Sequence, residues 1–180
     1  MSRCRFLFLF LTFGFFASCA STPKQLTISP AETSLTELMA SRLEISREVA
    51  WIKFLNHLPV RDPQREAELV NRMVTEGQAY GLKPQTVEAF FTAQIQASCL
   101  VQKESIRYWK RGGTLPAYAP RDLKKDIRPE LDKIGANILR ELARVEGQKT
   151  TAGLESATYR MLRQRGFSWH VARTAAAPLE

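Results

Sequence analysis

Two polar side chains, Ser98 and Gln102, stand one helical turn apart in a stretch that is otherwise suited to burial. Residues 84–109 contain no glycine or proline after the first position, which favours one long helix. Steps of about 100° per residue give this helix a stripe that the pair shares with Phe91, Ile95, Ile106 and Trp109. Burying a polar group without a partner costs roughly 1–3 kcal/mol. The pattern therefore predicts that something bound in the interior needs both polar groups.

Two cations occupy one edge of an earlier predicted helix. Arg42 and Lys53 are eleven residues apart, just over three turns, so they project in almost the same direction. The apolar stripe beside them consists of Leu38, Ile45, Val49 and Ile52. Two interpretations stay open here. The long side chains bury their stems and keep their charges in water, or they bind a small anionic substrate.

A group of charged residues falls at the start of the next predicted helix. Asp62 stands at the N-cap position and Pro63 at the first helical position, a strong start pattern. Arg65 and Glu66 follow in the first turn. Taken alone, Asp62 is a helix cap and the other two form a solvated face. A further cation, Arg128, flanks the apolar stripe of a later helix.

The elements that must hold these side chains are all helical. Long segments rich in Leu, Ala, Glu, Arg and Gln, with few alternating β-branched runs, predict an all-α protein. The predicted helices cover residues 33–58, 63 to 77 or 81, 84–109, 121–146 and 154–165. Pro59 is expected to stop the first, while Pro129 makes the fourth either kink or begin at Arg128. Residues 175–180 are expected to be disordered.

The N-terminus is typical of a secretory signal peptide. Arg3 and Arg5 precede an apolar run over residues 6–16 and then small residues. This run is too short to span a bilayer, which takes about 20 helical residues. The mature protein is therefore expected to be periplasmic or secreted.

Two endings of this signal peptide stay open. The residues before Cys19 resemble the end of a bacterial lipoprotein signal, which would attach a lipidated Cys19 to a membrane. Cleavage after Ala20 would instead release a free protein. Either ending leaves Cys99 without an intramolecular disulfide partner, and we interpret it as a small core residue.

Length, charge and motifs narrow the function classes. The net charge of +8 falls to +6 without the two signal arginines, but the basic residues are scattered and export argues against nucleic-acid binding. The sequence carries no recognisable metal-ligand set or phosphate-binding glycine loop, and His57 and His170 lie in unrelated contexts.

We predict a signal peptide over residues 1–20, a linker over 21–33 and one helical domain over 34–180, with a core at 34–113 and a C-terminal helical part at 121–166.

The combined spacing is similar to that of the all-helical chorismate mutases, and the signal peptide and extra C-terminal helices resemble their exported class. The resemblance is carried by RLEISREVAWIKFLNHLPVRDPQRE and AQIQASCLVQKESIRYW, with a looser match over residues 121–139. It implies a bundle of three core helices with added C-terminal helices. It also implies rearrangement of chorismate to prephenate, a step of aromatic amino acid biosynthesis, without a metal or cofactor.

The resemblance implies roles for eight residues. Arg42 and Arg128 would clamp the two carboxylates of chorismate, with Arg65 also facing the ligand. Lys53 and Gln102 would act on the ether oxygen, Ser98 on a carboxylate, and Asp62 and Glu66 on the ring hydroxyl. In the exported class one chain encloses the whole site, and Arg128 stands where the later-helix arginine is expected.

Two alternatives accompany the resemblance. Leu69 stands where a glutamine of the second helix can contact the ligand, so a non-catalytic helical lipoprotein or binding module with this fold is the competing hypothesis. A two-fold homodimer also stays open, since no decisive interface is visible in the sequence. Gln102 replaces a glutamate found in some exported members, so we expect activity that is roughly flat in pH.

Overall fold

A computed structural model describes residues 29–148 and 153–180, and within them the chain is helical with no strand, as the sequence predicts. The helices are α1 (Pro30–Leu55), α2 (Pro63–Gln78), α3 (Pro84–Lys110), α4 (Arg128–Glu146), α5 (Leu154–Gln164) and α6 (Trp169–Ala176). A π-helical turn (Leu123–Ile127) precedes α4, and a 3₁₀ turn (Ala177–Leu179) follows α6. The predicted signal peptide and Cys19 lie outside the described residues.

Helix α1 begins earlier than the sequence pattern suggests. Ser29 caps it: the Ser29 hydroxyl accepts from the Glu32 N–H at 3.2 Å, and the Glu32 carboxylate accepts from the Ser29 N–H at 2.6 Å. This reciprocal capping satisfies two backbone donors at the helix end. The prediction of a linker through Thr33 is therefore wrong for residues 29–33, because Pro30 suits the first helical turn and does not interrupt it.

The other end of α1 also differs from expectation. The helix stops at Leu55, three residues before the predicted end at Leu58. His57 adopts a left-handed backbone conformation with φ of 53°, which ends the helix before Pro59 can. The chain then turns directly into α2, whose N-cap is Asp62 as predicted.

One core joins all six helices. Helix α1 packs on α3 and α4, α2 packs on α3, and α3 packs on α6. The fully buried side chains at its centre include Leu35, Met39, Leu43, Phe90, Phe91 and Leu139. A second apolar cluster, made of Ile45, Val49, Ile52 and Ile127, lies between α1 and the π-helical turn. It fixes the start of α4 against α1.

The loop that leads from α3 to α4 is tied to α1. The indole N–H of Trp51 donates to the Tyr118 carbonyl at 3.2 Å. Arg121 binds the Glu48 carboxylate with Nε at 3.0 Å and NH2 at 2.6 Å, and it contacts Glu130 with NH1 at 2.6 Å. These contacts hold the entry to α4 over the middle of α1.

The fourth helix resolves the alternatives that Pro129 left open. Helix α4 begins at Arg128, so that Pro129 falls in the first turn, where its missing N–H leaves no hydrogen bond unmade. The preceding turn is wound more widely, with Ile127 N–H donating to the Asp122 carbonyl at 3.1 Å. Such i→i+5 turns are frequent at functional sites.

The C-terminal residues are ordered, so the prediction of disorder over residues 175–180 is wrong. Helix α6 buries Val171 and Ala175, and Leu179 in the 3₁₀ turn is 8% exposed. The Gln94 amide of α3 donates to the Ala175 carbonyl at 2.9 Å. The small residues of this segment, which suggested a flexible tail, allow α6 to pack closely against α3. No helix of the described residues is long and apolar enough to span a membrane.

Candidate active site

A cavity of about 460 Å³ lies among α1, α2, α3 and the start of α4. It brings together side chains from four separate parts of the sequence. All eight residues singled out from the sequence line it, namely Arg42, Lys53, Asp62, Arg65, Glu66, Ser98, Gln102 and Arg128. The described part of one chain therefore supplies every predicted site residue.

Arg42 is the most deeply buried charge of the site. It is 4% exposed, so the interpretation that its charge reaches water is wrong for this residue. Its Nε and NH1 atoms are buried and have no hydrogen-bond partner among the described residues. Burial lowers the pKa of Arg42 to about 10, although the nearby carboxylate of Asp132 opposes this shift. A buried guanidinium with unused donors is suited to receive an anion.

Lys53 lies three turns further along α1 and faces the same cavity. Its ammonium donates to the Val60 carbonyl at 2.6 Å, which fixes the side chain against the loop between α1 and α2. Partial burial lowers the pKa of Lys53, with Arg128 acting in the same direction and Cys99, Asp62 and Glu66 acting against it. Because an ammonium has three N–H groups, two remain for other acceptors.

At the start of α2, Asp62 and Glu66 line the cavity. The Asp62 carboxylate accepts from the Arg65 N–H at 3.2 Å, and the Asp62 N–H donates to Glu66 Oε1 at 3.1 Å. This reciprocal cap fixes the position of the Glu66 side chain. Asp62 is thus both a helix cap, as one interpretation held, and a wall of the cavity.

Helix α3 contributes a polar pair to the cavity wall. Ser98 is 9% exposed and Gln102 is 6% exposed, and both line the cavity. Gln102 Oε1 is buried without a hydrogen-bond partner among the described residues. Both groups therefore lie in the wall of the cavity in which the sequence pattern predicts a bound ligand. Ile106 and Trp109, on the same stripe, are half-buried beyond the cavity.

Arg128 lines the site directly after the π-helical turn. Ile127 is fully buried in the cluster against α1, and the next residue, Arg128, lines the cavity. One turn later in α4, Asp132 lines it as well. Asp132 accepts two hydrogen bonds from Arg72 of α2, at 3.3 Å between NH1 and Oδ2 and by a short contact between NH2 and Oδ1.

Sequence reasoning missed two charged residues of the site, Arg61 and Asp132. Asp132 is four residues after Arg128 and so shares its helix face, a signal that was available. Arg61 precedes the N-cap of α2, where no periodicity applies. The apolar wall was also largely missed, including Val49, Leu58, Pro59, Val60, Leu123 and Leu131.

The charge balance of the cavity favours an anionic ligand. Five cationic and three acidic side chains line it, the cations being Arg42, Lys53, Arg61, Arg65 and Arg128. Cys99 also lines it, but burial raises the pKa of its thiol, which disfavours the nucleophilic thiolate. Over residues 29–148 and 153–180 no group of three or more His, Cys, Asp or Glu side chains could hold a metal ion.

Comparison with known proteins gives one consistent family. Residues 28–103 match the profile described as chorismate mutase type II. The chain is 38% identical over 76 residues to the bifunctional chorismate mutase/prephenate dehydratase of Escherichia coli (strain K12), a match that covers 42% of this chain and 20% of that protein. It is 27% identical over 106 residues to the secreted chorismate mutase of Yersinia pestis, covering 59% of this chain and 56% of that protein. The chain therefore spans about a fifth of the first relative and just over half of the second.

The solved structures extend the likeness over most of the fold. The chorismate mutase from Burkholderia phymatum superposes with a TM-score of 0.75 and 29% sequence identity. That likeness covers 83% of this chain and 95% of the solved one. It therefore takes in helices beyond residue 103, where the family profile stops.

Proposed function

Since the chain belongs to the chorismate mutase type II family, we propose that it is an exported enzyme that rearranges chorismate to prephenate in its cationic cavity. The observation that carries the proposal is the convergence of five cations with the buried, unpartnered donors of Arg42 in one cavity. A dianion with two carboxylates would satisfy those donors. Chorismate is such a dianion.

The chemistry requires a shaped pocket more than a reactive group. In the rearrangement a C–O bond breaks while a C–C bond forms within one molecule, and negative charge grows on the ether oxygen. The protein accelerates this step by holding the compact chair-like conformer and by aiming fixed donors at that oxygen. No proton, electron or atom is exchanged with the protein.

We assign the two carboxylates of chorismate to the arginines. Arg42 offers its buried Nε and NH1 to one carboxylate, and Arg128, from the start of α4, reaches the other. Planar guanidinium groups suit this task because they donate to both oxygens of a carboxylate. Arg65 also faces the ligand, and the Ser98 hydroxyl donates to a carboxylate.

We assign the ether oxygen to Lys53 and Gln102. The Lys53 ammonium is held by the Val60 carbonyl, and its remaining N–H groups bind a carboxylate and the ether oxygen. The Gln102 amide donates to that oxygen from the other side, which requires its NH₂ group to face the ligand. The ring hydroxyl bonds to Glu66 and to the Asp62 carbonyl, whose second lone pair is not used by α2.

Export is part of the proposal and rests on the N-terminal sequence. The positive, apolar and small-residue order of residues 1–20 supports removal of a signal peptide. Attachment by a lipidated Cys19 and release after Ala20 are the two forms that the mature protein can take. Mass spectrometry of its N-terminus distinguishes them, because the acylated form begins at residue 19 with added lipid mass.

The second candidate function is non-catalytic binding by the same fold. Leu69 favours it, because an apolar side chain lines the cavity where a hydrogen-bonding one could stand. Against it, a scaffold has no need for Arg42, Lys53 and Gln102 to converge at one cavity. Loss of chorismate absorbance on adding the purified mature protein distinguishes the two functions.

The decisive variant is Lys53→Ala, with exposed Lys110→Ala at the end of α3 as its matched control. We expect Lys53→Ala to lower kcat/KM at least about 100-fold, the loss of one major electrostatic contact to the reacting oxygen. Lys110→Ala should retain wild-type turnover. Turnover within twofold of wild type in both Lys53→Ala and Gln102→Ala would show that the assigned site is wrong.

A further inference from the structure

The carboxylate of Glu66 is held on both oxygens by a residue at the rim of the cavity. Arg61 Nε lies 2.8 Å from Oε1 and 2.9 Å from Oε2 of Glu66, and its NH2 lies 2.6 Å from Oε2. The Arg61 side chain is 57% exposed, whereas that of Glu66 is 18% exposed. The guanidinium thus reaches from solvent to a carboxylate that lines the cavity.

The other groups around Glu66 come from three directions. The Asp62 N–H donates to Oε1, Lys53 faces the carboxylate from α1, and the Cys99 thiol lies 3.9 Å from Oε1 on the side of α3. Burial alone would raise the pKa of Glu66. Arg61 is the largest cause of the opposite outcome, a pKa of Glu66 below its ordinary value, with the Asp62 N–H and Lys53 adding to it.

Ionisation and orientation both matter for what Glu66 can recognise. An ionised carboxylate only accepts hydrogen bonds, so it selects a ligand that donates, such as a hydroxyl. A protonated or freely rotating carboxyl group would lose this selectivity. Two-pronged binding by an arginine suppresses both protonation and rotation of the carboxyl group, because it favours the charged form and fixes the plane of the carboxylate.

We infer that Arg61 is a positioning residue, which holds Glu66 as an ionised, oriented acceptor for the ring hydroxyl of the substrate. The inference rests on the proposed function, since it takes that hydroxyl as the group Glu66 binds. Arg61 acts through Glu66 and does not itself contact the reacting atoms. Through Glu66, Arg61 favours substrates whose ring carries a hydroxyl, and it keeps the enzyme active at acid pH.

The pH dependence of kcat/KM for chorismate tests the inference. With the pKa of Glu66 lowered, the wild-type enzyme should keep its activity as the pH falls through the ordinary carboxyl range. In Arg61→Ala the pKa of Glu66 rises toward its ordinary value, so the acid limb of kcat/KM should shift to higher pH than in wild type. Arg61→Lys should restore part of the difference. Exposed Arg107→Ala, outside the cavity, is the matched control.

A second measurement uses an analogue of chorismate in which hydrogen replaces the ring hydroxyl. Wild-type enzyme should have a lower kcat/KM for this analogue than for chorismate. The difference should be smaller in Arg61→Ala, because the substitution lowers kcat/KM for the hydroxylated substrate alone. Equal losses for both substrates, or an acid limb unchanged from wild type, would overturn the inference. The first result would mean that Arg61 binds a carboxylate of the substrate directly.

The titration of Glu66 itself separates this inference from the proposed function. Carbon-13 NMR of the labelled side-chain carboxyl reports its pKa in the full-length mature protein without any substrate. A pKa of Glu66 that is higher in Arg61→Ala than in wild type supports the positioning role even if chorismate is not turned over. Equal pKa values in an enzyme that does turn chorismate over reject the role and leave the proposed function intact.

Discussion

Arg72 of α2 donates to both oxygens of the Asp132 carboxylate of α4, so an ion pair joins the helices that carry Arg65 and Arg128. Asp132 lines the cavity, and its Oδ1 is also 3.9 Å from NH2 of Arg65. A carboxylate in the wall of a site for a dianion is unfavourable by itself. Arg72 neutralises it and leaves the other cations for the ligand.

Replacing Arg72 by Ala should therefore weaken binding of the dianion. The unpaired Asp132 would repel the substrate and compete for Arg65, an effect of about 1 kcal/mol or about fivefold in KM. We expect kcat to change little, since neither residue faces the ether oxygen in the proposed arrangement. Steady-state kinetics with chorismate measure both constants.

Removing both members of the pair provides the control. Arg72→Ala/Asp132→Ala should return KM toward the wild-type value, because the repelling charge is gone with its partner. Arg140→Ala, an exposed change on α4, should leave KM unchanged. A double variant as weak as Arg72→Ala would show that the pair acts through the fold and not through its charge.

Replacing Gln102 by Ala should lower kcat about 100-fold. One preorganised donor to a developing negative charge contributes on the order of 3 kcal/mol, and Ala removes that donor. Exposed Gln96→Ala on the same helix is the matched control and should behave as wild type. Single-turnover rates with saturating chorismate isolate the chemical step from binding.

The identity of the group at position 102 also predicts the pH profile. An amide donates at any pH, so wild-type activity should be roughly flat from mildly acid to mildly alkaline pH. In Gln102→Glu the side chain donates only when protonated, and activity should fall steeply as the pH rises. A steep loss of wild-type turnover above about pH 6 would contradict the assigned role of Gln102.

Replacing Arg42 by Leu should stabilise the fold while it removes activity. The charge is buried with two unpartnered donor atoms, and a leucine, although shorter, carries no charge that must be desolvated. We expect the free energy of unfolding to rise by about 1–2 kcal/mol and kcat/KM to fall at least about 100-fold. Denaturant unfolding and steady-state kinetics test the two halves separately.

The stability gain from Arg42→Leu has a predictable pH dependence. The folded-state pKa of about 10 lies well below the ordinary value for an arginine, so the cost of the charge is fully present below pH 10. It is relieved as the pH rises through the folded-state value, and the gain should shrink there. Arg47→Leu is the contrast on α1, because Arg47 stacks 4.3 Å from the Phe167 ring centroid and its loss should not stabilise.

Replacing Leu179 by Ala tests the ordered C-terminus. Its side chain is 8% exposed within the main core, so truncation should lower the free energy of unfolding by about 2 kcal/mol. Leu115→Ala, in a loop where the side chain is 49% exposed, should change it by less than about 0.5 kcal/mol. Equal small effects of both changes would mean that the tail contributes nothing to stability.

Much of the fold follows from local pattern. The starts of α2 and α3, the end of the long α3 within one residue, and the all-helical class were predicted from caps, prolines and apolar periodicity. Errors fell at the ends of α1 and in the tail. There Ser29 and Glu32 form a reciprocal cap, His57 takes a left-handed conformation, and α6 is stabilised by packing on α3 and α5.

Some residues of the site could likewise be predicted from local pattern, and others could not. Residues on one helix face keep their relative direction wherever the helix lies, so the spacing of Arg42 with Lys53, and of Ser98 with Gln102, already placed each pair together. Arg61 was not predicted as a site residue, because it precedes the N-cap of α2 and its partner Glu66 lies on the other side of that cap. Asp132 was overlooked although its face was predictable, since its partner Arg72 is 60 residues away.

The sequence by itself determined the helices and the direction of each functional side chain on its own helix, because capping and periodicity act within a few residues. Only the tertiary structure decided that these faces meet at one cavity, that Arg42 is withdrawn from water, and which carboxylates the cations neutralise. Desolvation and ion pairing depend on neighbours that are distant in sequence. They arise only when α1, α2, α3 and α4 pack together.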